Sequence, residues 1–404
     1  MFIMRTETAR NAVTYTPYGM LAILWLVGWT LRVPILTAPP LATNIANSFG
    51  LGEASIGALT MLPIVAVAFG AIPAAWIITK FGLRVAIVGG LICAGAASVG
   101  RGQVPSAELL FFASVIMGLG IAVCQTALPL ATRTWTPTHL ALGSTVYLNG
   151  MMAGELSAAG LTRPIILPLA NFDWRIALIL WAVPILIVAI LVLLSRPANT
   201  DDSSNLPDRQ NPSPVTSIPS LRDRRVWQYG ILLGSSVLAF FIINAYSGSV
   251  LNARGESEAL SALLLAYNTT PLLASLCLLL VPHWIGKRAP IAISGIAAVI
   301  GLSGFIIFDS WLSWMSALLV GYAATVKTIL LISLPPKIAN GTAVTRLSAG
   351  MTLIGFSLAF IIPLIGGWIA DKTGTVVIAL YPALAFLIIG LSALGRHSEY
   401  PHYK

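Results

Sequence analysis

Twelve apolar runs, each long enough to cross a bilayer, leave this chain few folds to choose from. They fall near 18–45, 54–78, 85–102, 107–132, 140–162 and 175–195, then near 226–252, 258–282, 290–308, 311–335, 342–365 and 376–395. Hydrocarbon offers the backbone no water, so a crossing segment needs about 20 apolar residues and must satisfy its own N–H and C=O groups. Runs of this length predict helices, and the fold class is an all-α integral membrane protein with twelve transmembrane helices. Only 9% of the 404 residues are charged, against about 25% in soluble domains.

Between 196 and 225 the pattern stops. That stretch is rich in Pro, Ser, Asn and Asp, lacks apolar periodicity, and reads as a flexible cytoplasmic linker. It divides the chain into six-helix halves at 1–195 and 226–404. The halves repeat in register. Gly52-Glu53 precedes the second run, and Leu59 is followed 23 residues later by Gly82-Leu83-Arg84; Gly255-Glu256 precedes the eighth, and Leu263 is followed 23 later by Gly286-Lys287-Arg288. An offset near 204 predicts two pseudo-symmetric bundles related by an axis along the membrane normal.

The net charge of +9 is spread over short loops rather than gathered in a patch, which argues against nucleic acid and for membrane orientation. With both termini cytoplasmic, sixteen Lys and Arg fall inside and five outside: Arg101, Arg163, Arg175, Arg254 and Lys372. This satisfies the positive-inside rule. The first run follows a segment with no removable signal sequence. Cys93, Cys124 and Cys277 lie in apolar segments without metal-ligand spacing and read as free thiols. No zinc-binding His pair, intramembrane aspartate pair or phosphate-cradling Gly-rich loop is present. The chain is therefore expected to hold no catalytic residue, metal or cofactor. Nor does any soluble output domain suggest a sensor or scaffold.

Two cations remain inside apolar runs, Arg32 and Lys327. A charge at a helix centre costs about 2.5–3.5 kcal/mol on insertion scales, so it faces protein or a watery cavity. Glu155 is the one acid clearly within a run, in the fifth.

The segment Ala75-Trp76-Ile77-Ile78-Thr79-Lys80-Phe81-Gly82-Leu83-Arg84 resembles the loop after the second span of the major facilitator superfamily, where Gly-x-x-x-Asp is followed by Arg or Lys, x, Gly and two basic residues. Lys80, Gly82 and Arg84 match; Thr79 replaces the acid that helps lock the halves. Gly366 to Gly374 also resembles the end of that family's eleventh span. Within the superfamily, Thr30-Leu31-Arg32-Val33 with Thr37-Ala38-Pro39-Pro40-Leu41 looks like the bacterial cyanate and 2-nitroimidazole transporter branch. So do Gly118-Leu119-Gly120-Ile121, Gln125 to Pro129, and Trp227, Gly230 and Gly234. Lys327 and Glu155 stand where that branch has small or apolar residues.

The resemblance implies a multi-pass monomer of the bacterial inner membrane, with helices 1, 4, 7 and 10 lining a central cavity. Helical spacing then groups Trp29 with Arg32 on the first, Gln125 with Gly118 and Ala122 on the fourth, and Asn244 with Phe240 on the seventh. On the tenth, Lys327 shares a face with Val320, Ala323, Ala324 and Leu331. Tyr147, Tyr246, Tyr267, Asn268 and Tyr322 are candidate cavity donors or, equally, packing residues.

Arg32 offers a planar fork to a small anion and Lys327 a point charge. The functional expectation is a small anionic substrate, cyanate-like or a short carboxylate, held between them in a secondary transporter. The structural alternative satisfies each cation with a carbonyl or with Glu155, which itself either carries a proton or pairs statically with Arg32. Export of a neutral or weakly acidic aromatic such as a nitroimidazole is the other transport reading.

Overall fold

The computed structural model describes residues 18–195, 222–339 and 342–394. Most of the linker expectation, and both termini, lie outside the described residues.

The helices, in chain order, are α1 Tyr18–Phe49, α2 Glu53–Phe81, α3 Leu83–Gln103, α4 Ala107–Trp135, α5 Leu140–Leu161 and α6 Trp174–Leu194. After the linker come α7 Arg224–Ala253, α8 Leu260–Leu280, α9 Arg288–Ile307, α10 Ser310–Ile332, α11 Thr342–Thr373 and α12 Tyr381–Leu394. Eleven described helices are long and apolar enough to cross a membrane. The remaining one, α5, has 22 residues but is more polar, carrying Asn149, Glu155 and Ser157. Its polar groups are answered by α1, which is why the span tolerates them.

The pseudo-symmetry is visible in the packing. In the first half α1 packs on α5, α2 on α4, and α3 on α4 and α6; in the second, α7 packs on α11, α8 on α10, and α9 on α10 and α12. Across the halves, α2 meets α11 and α5 meets α8. Equivalent turns carry equivalent left-handed glycines: Gly82 (φ 83°) and Gly286 (φ 92°) follow α2 and α8, and Gly50 (φ 64°) and Gly255 (φ 75°) follow α1 and α7. A Cβ disfavours that conformation. The turns at Gly82 and Gly286 explain why glycine recurs there at the repeat offset.

Asp173 and Asp223 start α6 and α7 as N-caps, accepting from the backbone N–H of Arg175 at 2.8 Å and of Arg225 at 2.9 Å. A carboxylate there satisfies an orphan donor and complements the helix dipole. α1 is broken at Thr37 into Tyr18–Leu36 and Ala38–Phe49. Pro39 and Pro40 supply no N–H to the preceding turn, so the ladder cannot continue through them.

Arg101, counted with the outer cations, lies in the last turn of α3 with 1% exposure. Its side chain is packed inside the bundle rather than turned to water.

Candidate substrate site

The site begins with two helices that touch backbone to backbone. A Cβ on Gly28 would sit 2.2 Å from the Tyr147 carbonyl oxygen, one on Gly150 2.2 Å from that of Trp25, and one on Gly154 2.3 Å from that of Trp29. Small residues four apart let membrane helices approach this closely. The closeness brings short polar side chains into reach. Trp25 Nε1 donates to Asn149 Oδ1 at 2.9 Å, Trp29 Nε1 donates to Ser157 Oγ at 3.0 Å, and Arg32 Nε lies 3.3 Å from Glu155 Oε1. The face of α1 identified by spacing is thus the face turned to α5.

The ion pair is offset. Arg32 Nε is buried and makes no aligned hydrogen bond, despite its distance from Glu155. The Arg32 side chain keeps 21% of its surface and Glu155 keeps 11%, so the pair is not fully sealed. Trp29 also packs against Trp181 of α6, ring centroids 6.0 Å apart and tilted 52°. Tyr147 and Gln125 are half-buried on α5 and α4. The face of α4 that carries Gln125 also places Gly118 against the Pro63 carbonyl and Ala122 against Gly70 of α2.

From the second half, α7 and α8 bring a polar cluster. Asn268 Nδ2 donates to Asn244 Oδ1 and to the Leu264 carbonyl, each at 2.9 Å, and Asn244 Nδ2 donates to the Phe240 carbonyl at 3.3 Å. Tyr267 stacks on Phe240, with centroids 5.4 Å apart, and donates to the Phe240 carbonyl at 2.9 Å. Asn268 Oδ1 is buried with no partner. This cluster faces the α5–α8 contact, where Gly160 abuts Leu265, and Tyr267 lies within Coulombic reach of Glu155.

Lys327 is placed elsewhere. It is fully buried and donates to Ser235 Oγ of α7 at 2.8 Å, beside Gly295 of α9. The small residues sharing its face, Ala323 and Ala324, are also buried. They make room for the ammonium inside the second bundle, not in a cavity shared with Arg32. Tyr246 is likewise not a cavity donor: its hydroxyl donates to the carbonyls of Pro363 at 2.7 Å and Glu53 at 3.2 Å.

That tyrosine belongs to a junction missed from the sequence. Asp371, at the end of α11, accepts from the backbone N–H of Glu53 at 2.6 Å and Ala54 at 3.2 Å, capping α2 from the opposite half. Gly52 and Gly367 leave no room for a Cβ there. The Gly366 to Gly374 segment was the available signal, but nothing local says which helix its acid would meet.

Lys80, Gly82 and Arg84 sit at the other end of the molecule. Arg84 donates to the carbonyls of Val192 at 3.1 Å, Leu193 and Ser195. Lys80 lies 4.6 Å from the Trp76 ring centroid. The loop is thereby tied to α6 of its own half. Cys93, Cys124 and Cys277 are free.

The geometry has known counterparts. The profile of the Major Facilitator Superfamily matches residues 20–345. The 2-nitroimidazole transporter of Escherichia coli (strain K12) is 28% identical over 394 residues, 94% of this chain and 96% of that protein. The cyanate transport protein CynX of the same organism is 23% identical over 373 residues, 88% and 91% of the two chains. Among solved structures, a D-xylose-proton symporter superposes with a TM-score of 0.76 at 13% identity, covering 96% of this chain and all of the other (100%). A bacterial homologue of the lysosomal transporter Spinster, inward-facing and occupied, gives 0.68 at 16% identity, over 94% and 96%. The chain is a multi-pass transporter, not an enzyme, and it belongs to the Major Facilitator Superfamily.

Proposed function

We propose that the chain is a secondary active transporter of a small anion, bound at Arg32 near the middle of the membrane. The observation that carries this reading is the offset pair: a guanidinium with a fifth of its side chain accessible, held 3.3 Å from a carboxylate it does not squarely meet. Glu155 acts as an internal anion that a substrate carboxylate or cyanate displaces. Trp29, Gln125 and Tyr147 line the first-half side of this site, and Asn244, Tyr267 and Asn268 the second-half side. Lys327 supports the second bundle from within and stays out of contact with the substrate in this conformation.

The excess of basic residues at the Arg84 end supports an orientation with that end in the cytoplasm and the Gly52 end outside. The contacts through Asp371 and Tyr246 then close the outer side, and transport proceeds by rocking the two halves about Arg32. The termini are cytoplasmic and the working unit is a monomer in the bacterial inner membrane.

Uptake of radiolabelled cyanate, nitrate and short carboxylates into proteoliposomes tests this. Arg32→Gln is expected to lower uptake of the transported anion more than tenfold, with Arg32→Lys intermediate because a point charge replaces a fork. Full uptake by Arg32→Gln would overturn the reading. The Trp29–Trp181 flank supports a second one, in which a nitro-aromatic stacks on Trp29 and its nitro group meets Arg32. Charge movement accompanying substrate separates the two, since only the anion carries current without a compensating ion.

A further inference from the structure

Arg101 is a fully buried guanidinium, and nothing in the transport reading uses it. Its Nη1 donates to the Pro34 carbonyl at 2.8 Å and lies 3.2 Å from Met117 Sδ of α4. Its Nε and Nη2 are buried without any partner, and so is Ser98 Oγ, three residues earlier on the same helix face. The ion pairs among the described residues join Arg32 to Glu155, Arg225 to Asp223 and Arg254 to Asp309. Arg101 has none.

The two orphaned nitrogens define what is missing. Nε–H and Nη2–H project in parallel from one edge of the guanidinium plane, the edge that takes two oxygens of an oxyanion or a single halide between them. A buried positive charge with no counter-charge is strongly disfavoured. A water molecule would satisfy one or two donors and leave the charge.

We propose that Arg101 and Ser98 hold a small inorganic anion, of the chloride or nitrate class, inside the first bundle. The anion neutralises the guanidinium, and through the Pro34 carbonyl the pair fixes α3 to the segment of α1 just before its break. The site is structural and separate from Arg32, so it stands whether or not the transported substrate is an anion.

Bromide is the probe. Crystals of the detergent-purified full chain grown in bromide are expected to show an anomalous peak within hydrogen-bond distance of Arg101 Nε and Nη2. Exchanging gluconate for chloride at tenfold its dissociation constant should raise the Tm of the wild type by about 2 °C. Ser98→Ala should reduce the shift, Arg101→Met should abolish it, and Arg32→Gln should retain it. If Arg101→Met does not fold, the bromide peak and the Ser98→Ala shift decide the matter. Absence of a peak together with a halide-independent wild-type Tm means that water fills the site, and overturns the proposal. So does a chloride shift that survives Arg101→Met, or one lost only in Arg32→Gln.

Discussion

Asp371 of one half caps the helix that begins at Glu53 of the other, its Oδ1 2.6 Å from the Glu53 amide nitrogen. Capping is ordinarily a local device; here it joins the two halves, which separate at this end in the proposed transport cycle. A carboxylate at a helix N-terminus contributes about 1 kcal/mol, or about fivefold in an equilibrium. Asp371→Ala should shift the population about fivefold toward the state open at the Gly52 end. Spin-label distances between the α1–α2 turn and the end of α11 measure this, and an unchanged distribution would refute it.

In the proposed function Glu155, 3.3 Å from Arg32, is the group that a substrate anion displaces. Glu155→Gln should therefore bind the transported anion several-fold more tightly, while costing stability through an uncompensated buried cation, about 3–5 kcal/mol at most. Equilibrium binding and thermal unfolding in detergent check the two halves of this expectation. Unchanged affinity would show that the carboxylate is not displaced.

Gly154 sets the depth at which Arg32 sits. A Cβ there would fall 2.3 Å from the Trp29 carbonyl oxygen and 3.2 Å from Arg32 Cβ. Overpacking of this kind costs about 1–3 kcal/mol. Gly154→Ala should lower the Tm and cut uptake, whereas Gly89→Ala, with nothing within 4 Å, should do neither.

Lys327 has a hydroxyl partner and, among the described residues, no carboxylate ion pair. An apolar side chain of similar length often replaces such a charge without loss of stability. Lys327→Met should keep the Tm within a few degrees and leave anion affinity within about twofold of the wild type. A collapse of affinity would show that the lysine reaches the substrate in another conformation.

Asp223 gives a pH-dependent contribution. Partial burial alone would raise its carboxyl, but the hydrogen bonds and charge of Arg225 outweigh burial and hold it below its ordinary 3.8. A depressed folded value means stabilisation that is present above pH 3.8 and is lost as pH falls through the folded value. Asp223→Ala should cost about 1 kcal/mol near neutrality, with the gap to wild type closing in acid, as read by Tm against pH.

The helices were legible in the sequence because the bilayer imposes length and apolarity directly. The repeat was legible because its turns need glycine at Gly82 and Gly286. The face of α1 carrying Trp29 and Arg32 followed from spacing alone. What that face meets did not. Lys327 shows the reason: periodicity assigns a residue to a side of α10, but whether that side faces a cavity or the bundle interior depends on how α7, α9 and α10 sit together. The burial of Arg101 was not legible, because a cation at a helix end can as well turn outward to water as inward to a neighbouring carbonyl. The Asp371 junction joins residues more than three hundred positions apart, a relation that no local pattern encodes.

The break at Thr37 divides the allegiance of the first helix. Tyr18–Leu36 is bound along its length to α5, while Ala38–Phe49 packs on both α2 and α7, and Thr43 approaches Gly248 of the other bundle. A rigid rod so attached would brace the bundles against each other. Pro39 and Pro40 interrupt its ladder instead, so a bend between the two segments breaks few further backbone hydrogen bonds. Arg32 sits five residues before that junction, in the segment packed on α5.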